Sequence, residues 1–176
     1  LWVMNKQYPI GKLSYKEDHS PEDRDAWIDE IALLPERIRN EIHGCSDDIL
    51  MIPYREDGWT IREVITHLLD AHSNGIMRVK LALTEDEPVI KPYDQNACVT
   101  IEDQFGIPLE LTLQMLEDVH EKMIRIYESL NEDQWERVYI NPEAGPFTVA
   151  KSAALYAWHS NHHLEHIRLV TNQEKS

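Results

Sequence analysis

Thr148-Val149-Ala150-Lys151-Ser152-Ala153-Ala154-Leu155-Tyr156-Ala157-Trp158-His159-Ser160-Asn161-His162-His163-Leu164-Glu165-His166-Ile167-Arg168-Leu169-Val170 runs without proline or glycine, and its apolar positions recur at helical spacing. At about 100° per residue, with His159 at zero, the apolar face centres near roughly 35°; His163 then lies at about 40°, His166 at about 340° and His162 at about 300°. His159 and His163 therefore point closest to the interior, and His162 sits on the flank. A helix that buries two imidazoles on one face must satisfy two polar nitrogens. A divalent cation held by an i, i+4 pair does so. The pair His162 and His166 has the same spacing and competes with it.

Three further long helices precede this one. The first opens at Ser20-Pro21-Glu22-Asp23, with a hydroxyl cap, proline at the first helical position and acids in the first turn. Its apolar side runs Trp27, Ile31, Leu34, Ile38, Ile42; Pro35 is expected to kink it and Gly44 to stop it. The second opens at Thr60 with Glu63 as a capping box and Trp59 as a staple onto Val64, and continues to about Leu83 with Gly75 as its one interior glycine. The third spans about Leu109 to Leu130. Sustained two-residue alternation is missing, so the fold class is all-α, a four-helix bundle. Ser46-Asp47-Asp48-Ile49-Leu50, Tyr54 and Trp59-Thr60 find counterparts in Asn131-Glu132-Asp133-Gln134-Trp135, Tyr139 and Phe147-Thr148. This faint repeat points to a duplicated helix pair related by a pseudo-twofold axis, with the second and fourth helices facing a shared cavity.

The chain has 176 residues, 42% of them hydrophobic, which suits one domain over 1–176, with 1–19 an N-terminal extension and 84–108 a long crossover or a lid carrying Tyr93. A net charge of −15 disfavours nucleic acid and anionic membrane surfaces as partners. No apolar stretch is long enough to span a bilayer. Leu1-Trp2-Val3-Met4-Asn5-Lys6 lacks the pattern of a signal peptide, and Met4 is a candidate natural start. Cys45 and Cys98 form no CxxC pair, and a cytoplasmic address follows most simply.

A third ligand must come from elsewhere, and the second helix offers His67 and His72. On the wheel His72 falls mid-face, where a core histidine bonded to a carbonyl explains it equally well. His67 lies on a strip with Asn74 and Arg78, suited to anchoring an anionic substrate beside a metal. Asp70 is a candidate general base. His162-His163-Leu164-Glu165-His166 does not have the HExxH order, which disfavours a zincin-type protease.

Tyr8-Pro9-Ile10-Gly11, Pro53-Tyr54-Arg55, Gly58-Trp59-Thr60, His67-Leu68-Leu69-Asp70-Ala71-His72, Lys91-Pro92-Tyr93-Asp94 and Tyr156-Ala157-Trp158-His159-Ser160-Asn161-His162-His163 closing on His166, in that order, resemble the YfiT-like branch of the DinB superfamily. These are metal-dependent hydrolases related to bacillithiol S-transferases. The resemblance implies a four-helix bundle with one divalent metal ion per chain, zinc or nickel, held by His67, His159 and His163. It also implies a homodimer and a small-molecule substrate, with a low-molecular-weight thiol as the alternative co-substrate. Three imidazoles would leave positions open on the ion, as reactive rather than structural sites do.

Overall fold

The computed structural model describes residues 5–174; Leu1 to Met4, including the candidate start, lie outside the described residues. Four long helices carry the architecture: α1 (Pro21–Ile42), α3 (Ile61–Thr84), α6 (Leu109–Glu128) and α8 (Val149–Glu174). Between them lie the short helical turns α2 (Asp47–Leu50), α4 (Gln95–Cys98), α5 (Asp103–Gly106) and α7 (Glu132–Trp135), and the strands β1 (Val138–Asn141) and β2 (Gly145–Thr148). The caps read from the sequence are in place. The Ser20 hydroxyl accepts from the Asp23 amide while the Asp23 carboxylate takes the Ser20 amide, and Thr60 and Glu63 make the same reciprocal pair at the head of α3.

The antiparallel hairpin β1–β2 departs from the expectation of helices alone. Tyr139 pairs with Phe147 and Val138 with Thr148, and Gly145, at φ +82°, supplies the left-handed backbone that the turn needs. The hairpin is half of the duplication. Pro53 bridges Thr60 as Val138 bridges Thr148, and Ser46 and Asn131 cap the equivalent turns α2 and α7. Thr148 accepts the Lys151 amide as Thr60 accepts that of Glu63. The packing follows the same rule: α1 lies along α8 and α6 along α3, the two contacts that a twofold would exchange.

Pro35 does not end α1, which continues to Ile42. A proline has no N–H to give the carbonyl four residues earlier, so the carbonyl of Ile31 loses its helical partner inside the protein. The crossover 84–108 is held rather than loose. Arg62 on α3 donates to the carbonyls of Gln104 (2.5 Å) and Ile107 (2.6 Å), while Pro88 and Ile90 exchange backbone hydrogen bonds with Ile140 of β1.

Two apolar clusters fill the bundle. One gathers Ile31, Val79, Met123, Tyr127 and Tyr139, the other Leu34, Ile38, Ile65, Leu68, Leu116 and Ile167. Gly75 is needed where α3 meets α8, since a Cβ there would lie 2.3 Å from Cζ of the buried Tyr156. Gly75→Ala gains helix propensity but overpacks that contact, with an expected net loss of about 1–2 kcal/mol, measurable as a lowered denaturant midpoint at unchanged slope.

Candidate metal centre

Seven histidines come together where the helices converge: His67 and His72 from α3, His120 from α6, and His159, His162, His163 and His166 from α8. All but His159, which is half-buried, are buried. The side-chain nitrogens of His67, His159 and His163 include one from each ring, all within 4.8 Å of one another. His67 and His159 face each other through their Nε2 atoms at 3.0 Å. Nitrogens that share one divalent ion at about 2.0–2.1 Å, with angles near 90–109°, stand roughly 3.0–3.4 Å apart. The donor set therefore fits an ion. His162, His163 and His166 form a second group within the same limit; it shares His163, whose Nδ1 lies 3.1 Å from Nδ1 of His166.

Charge is kept out of this cluster by burial. Desolvation, reinforced by the neighbouring rings His162 and His166, pulls the pKa of His67 down to about 4. Desolvation likewise holds His159 and His163 well below the usual imidazole value, again with neighbouring histidines adding to the effect. Neutral rings keep a lone pair free for a metal.

A cavity of about 390 Å³ opens onto His159, His162, His163 and His166. Tyr54, Trp59 and Trp158 give it aromatic walls, and Arg55 adds a cation whose Nε is buried with no hydrogen-bond partner. Trp59 tilts against His67 at 4.6 Å, Tyr54 stacks on His166 at 3.9 Å and Trp158 stacks on His162 at 4.4 Å. A second, smaller cavity of about 120 Å³ also reaches His159 and is lined by Arg78 and Tyr93. Burial first, and then the nearby Asp70, raises the Tyr93 phenol to about 12, so it stays protonated and able to donate.

Several sequence expectations divide here. His72 and His67 are both buried, but His72 stands behind His159, with Nε2 2.9 Å from its Nδ1, and belongs to neither three-nitrogen group. Its partners are two imidazoles rather than the carbonyl expected of a core histidine. The strip His67–Asn74–Arg78 does not line a single cavity. Arg78 and Tyr93 border the smaller cavity, whereas Asn74 is exposed and donates to the Asp70 carbonyl. Asp70 is half-buried, its pKa raised by desolvation and by Asp103, and it lines neither of these two cavities. His162 is not a solvated flank residue, because Tyr8 of the N-terminal segment closes over it at 5.9 Å between ring centroids. Asn161 takes no part in the cluster and donates to Glu30 on α1 at 2.7 Å. Unforeseen were His120 and Arg55. The spacing Leu113, Leu116, His120, Met123, Tyr127 put His120 on the apolar stripe of α6, a signal open to reading.

The DinB superfamily profile matches residues 30–167. A protein of Oceanobacillus iheyensis named "Putative metal-dependent hydrolase" is 38% identical over 164 residues, covering 93% of this chain and 95% of its own. A protein of the same designation from Halalkalibacterium halodurans is 39% identical over 165 residues, covering 94% and 96%. Among solved structures, YfiT from Bacillus subtilis superposes with a TM-score of 0.93 at 33% identity, covering 97% of this chain and 98% of its own; it is described as a probable metal-dependent hydrolase with an unusual four-helix bundle topology. In sequence over most of its length, and in the arrangement of its helices, the chain belongs to the DinB superfamily.

Proposed function

We propose that the chain is a metal-dependent hydrolase in which His67, His159 and His163 hold one divalent ion, zinc or nickel, at the floor of the aromatic cavity. The observation that carries this reading is the approach of three neutral ring nitrogens from two separate helices beside a cavity of about 390 Å³, a volume suited to a small organic substrate. A divalent ion there supplies Lewis acidity toward a polarised carbonyl. The protein's own groups bind and orient. Tyr54, Trp59 and Trp158 exclude water from an apolar part of the substrate, and the Nε–H of Arg55, which has no hydrogen-bond partner, donates to a carboxylate or phosphate oxygen. From the smaller cavity, Tyr93 donates a hydrogen bond and Arg78 balances charge near His159. A base drawn from the side chains is not required to be Asp70, which stands outside both cavities.

The Arg55 cation beside an aromatic wall, with its Nε still free to donate, also favours a second reading, transfer of a small anionic thiol to an electrophile. One experiment separates the two. Metal-loaded protein is given a panel of carboxylate-bearing esters and amides, with and without a low-molecular-weight thiol, and in parallel a haloarene or epoxide with the thiol. Metal-dependent cleavage without thiol is expected. Conjugate formed only when metal and thiol are both present would replace hydrolysis by S-transfer, and full metal occupancy with neither reaction would reduce the protein to a binding bundle.

A further inference from the structure

Behind the three-nitrogen group runs a line of imidazoles that ends on the backbone. His159 Nδ1 lies 2.9 Å from His72 Nε2, His72 Nδ1 lies 2.7 Å from His120 Nε2, and His120 Nδ1 lies 2.6 Å from the carbonyl oxygen of Ile31. The four members come from α8, α3, α6 and α1, so the line crosses all four long helices.

Its terminus fixes every proton in it. A carbonyl oxygen only accepts, so His120 must carry its hydrogen on Nδ1, and in a neutral ring its Nε2 is then an acceptor. His72 must therefore donate from Nδ1, which leaves its Nε2 to accept, and His159 must donate from Nδ1 in turn. The Nε2 of His159 is left with a bare lone pair, and this is the nitrogen that faces His67 Nε2 at 3.0 Å. The acceptor at the far end exists because of one residue. Pro35 cannot give Ile31 its helical hydrogen bond, so the carbonyl is free for His120.

We propose that His72 and His120 are positioning residues for the metal centre: a buried relay, anchored on the carbonyl that Pro35 releases, which locks His159 in the Nδ1–H tautomer and aims its Nε2 at the ion. This rests on the assignment of His159 as a ligand. A ligating histidine is usually oriented by a single carbonyl or carboxylate, and loss of such a partner costs about 10–100-fold in metal affinity. Here two imidazoles extend that partner across the core. His120 also has a packing role, and only the hydrogen-bonding role predicts the following pattern.

In protein carrying ¹⁵N-labelled histidine, two-bond nitrogen–proton correlations should place the hydrogen of His120, His72 and His159 on Nδ1 in the metal-free protein at neutral pH. His120→Leu removes the acceptor for His72, and the apparent zinc affinity, measured by competition with a chelator, should fall about 10–100-fold. His120→Gln can donate to Ile31 through its amide and accept from His72 through its oxygen, so its affinity should stay within a few-fold of wild type. An Nε2–H tautomer at His159 or His72, or equal zinc affinity in the wild type and both variants, overturns the relay. Tautomers in the wild type are read without metal, so they decide the point even if His120→Leu fails to fold. Failure of the wild type to bind zinc while the tautomers hold would instead overturn the ligand assignment.

Discussion

His163→Ala is expected to lose its metal while keeping its fold. The residue contributes a nitrogen to the group with His67 and His159, within 4.8 Å of both partners' ligand atoms. Two remaining imidazoles hold an ion far more weakly than three, so the drop in affinity should exceed the roughly 10–100-fold that loss of an outer partner costs. The helix around it is fixed independently by Leu164 and Ile167, both almost fully buried, and by packing along α1, so far-ultraviolet circular dichroism should be unchanged. His162→Ala is the matched control. It sacrifices the stacking on Trp158, at 4.4 Å between ring centroids, and should lower stability while leaving metal per chain near the wild-type value. Because His163 belongs to both three-nitrogen groups, a site emptied in His162→Ala as well as in His163→Ala would move the ion to the group His162, His163 and His166.

Acid should unfold the metal-free protein earlier than its carboxylates alone would. All seven histidines of the cluster titrate below the ordinary imidazole value because burial disfavours the cation; His67, His120, His162 and His166 lie near 4, with His72, His159 and His163 also well depressed. The sign follows from proton counts. Above about pH 6.5 both folded and unfolded chains hold these rings neutral. Below it the unfolded chain takes up protons that the folded chain refuses, so stability falls as pH drops from about 6.5 toward 4. For His120 alone, almost fully buried, the loss by pH 4 is on the order of 3 kcal/mol. Since such domains carry only about 5–15 kcal/mol in total, urea midpoints recorded at pH 7, 6, 5 and 4 should decline steeply across that window. A flat profile would mean that the rings are charged or solvated in the native protein.

The sequence disclosed the bundle through its caps and stripes, because those signals are local. Ser20 with Asp23 and Thr60 with Glu63 bond within one turn, and the chain needs nothing distant to form them. The duplicated turns at Ser46 and Asn131 were readable for the same reason. The hairpin was not. Val138–Asn141 and Gly145–Thr148 are four residues each, too short for alternation to emerge, and β1 is held on its other side by Pro88 and Ile90 from the crossover.

At the site, the wheel placed His159 and His163 inward but could not rank His67 against His72, since both are buried. What divides them is distance to another helix: His67 meets His159 at Nε2 and His72 meets it at Nδ1. Periodicity within one segment does not carry such information. The cover that Tyr8 gives His162, and the pairing of a proline on α1 with a histidine on α6, are likewise tertiary facts.

Crystals of protein purified without an affinity tag, measured on both sides of the zinc and nickel absorption edges, test the ligand assignment most directly. One anomalous peak per chain is predicted, at about 2.0–2.1 Å from Nε2 of His67, Nε2 of His159 and a ring nitrogen of His163. A peak bound by His162 and His166 instead, or none near His67 in protein soaked with either metal, would contradict it.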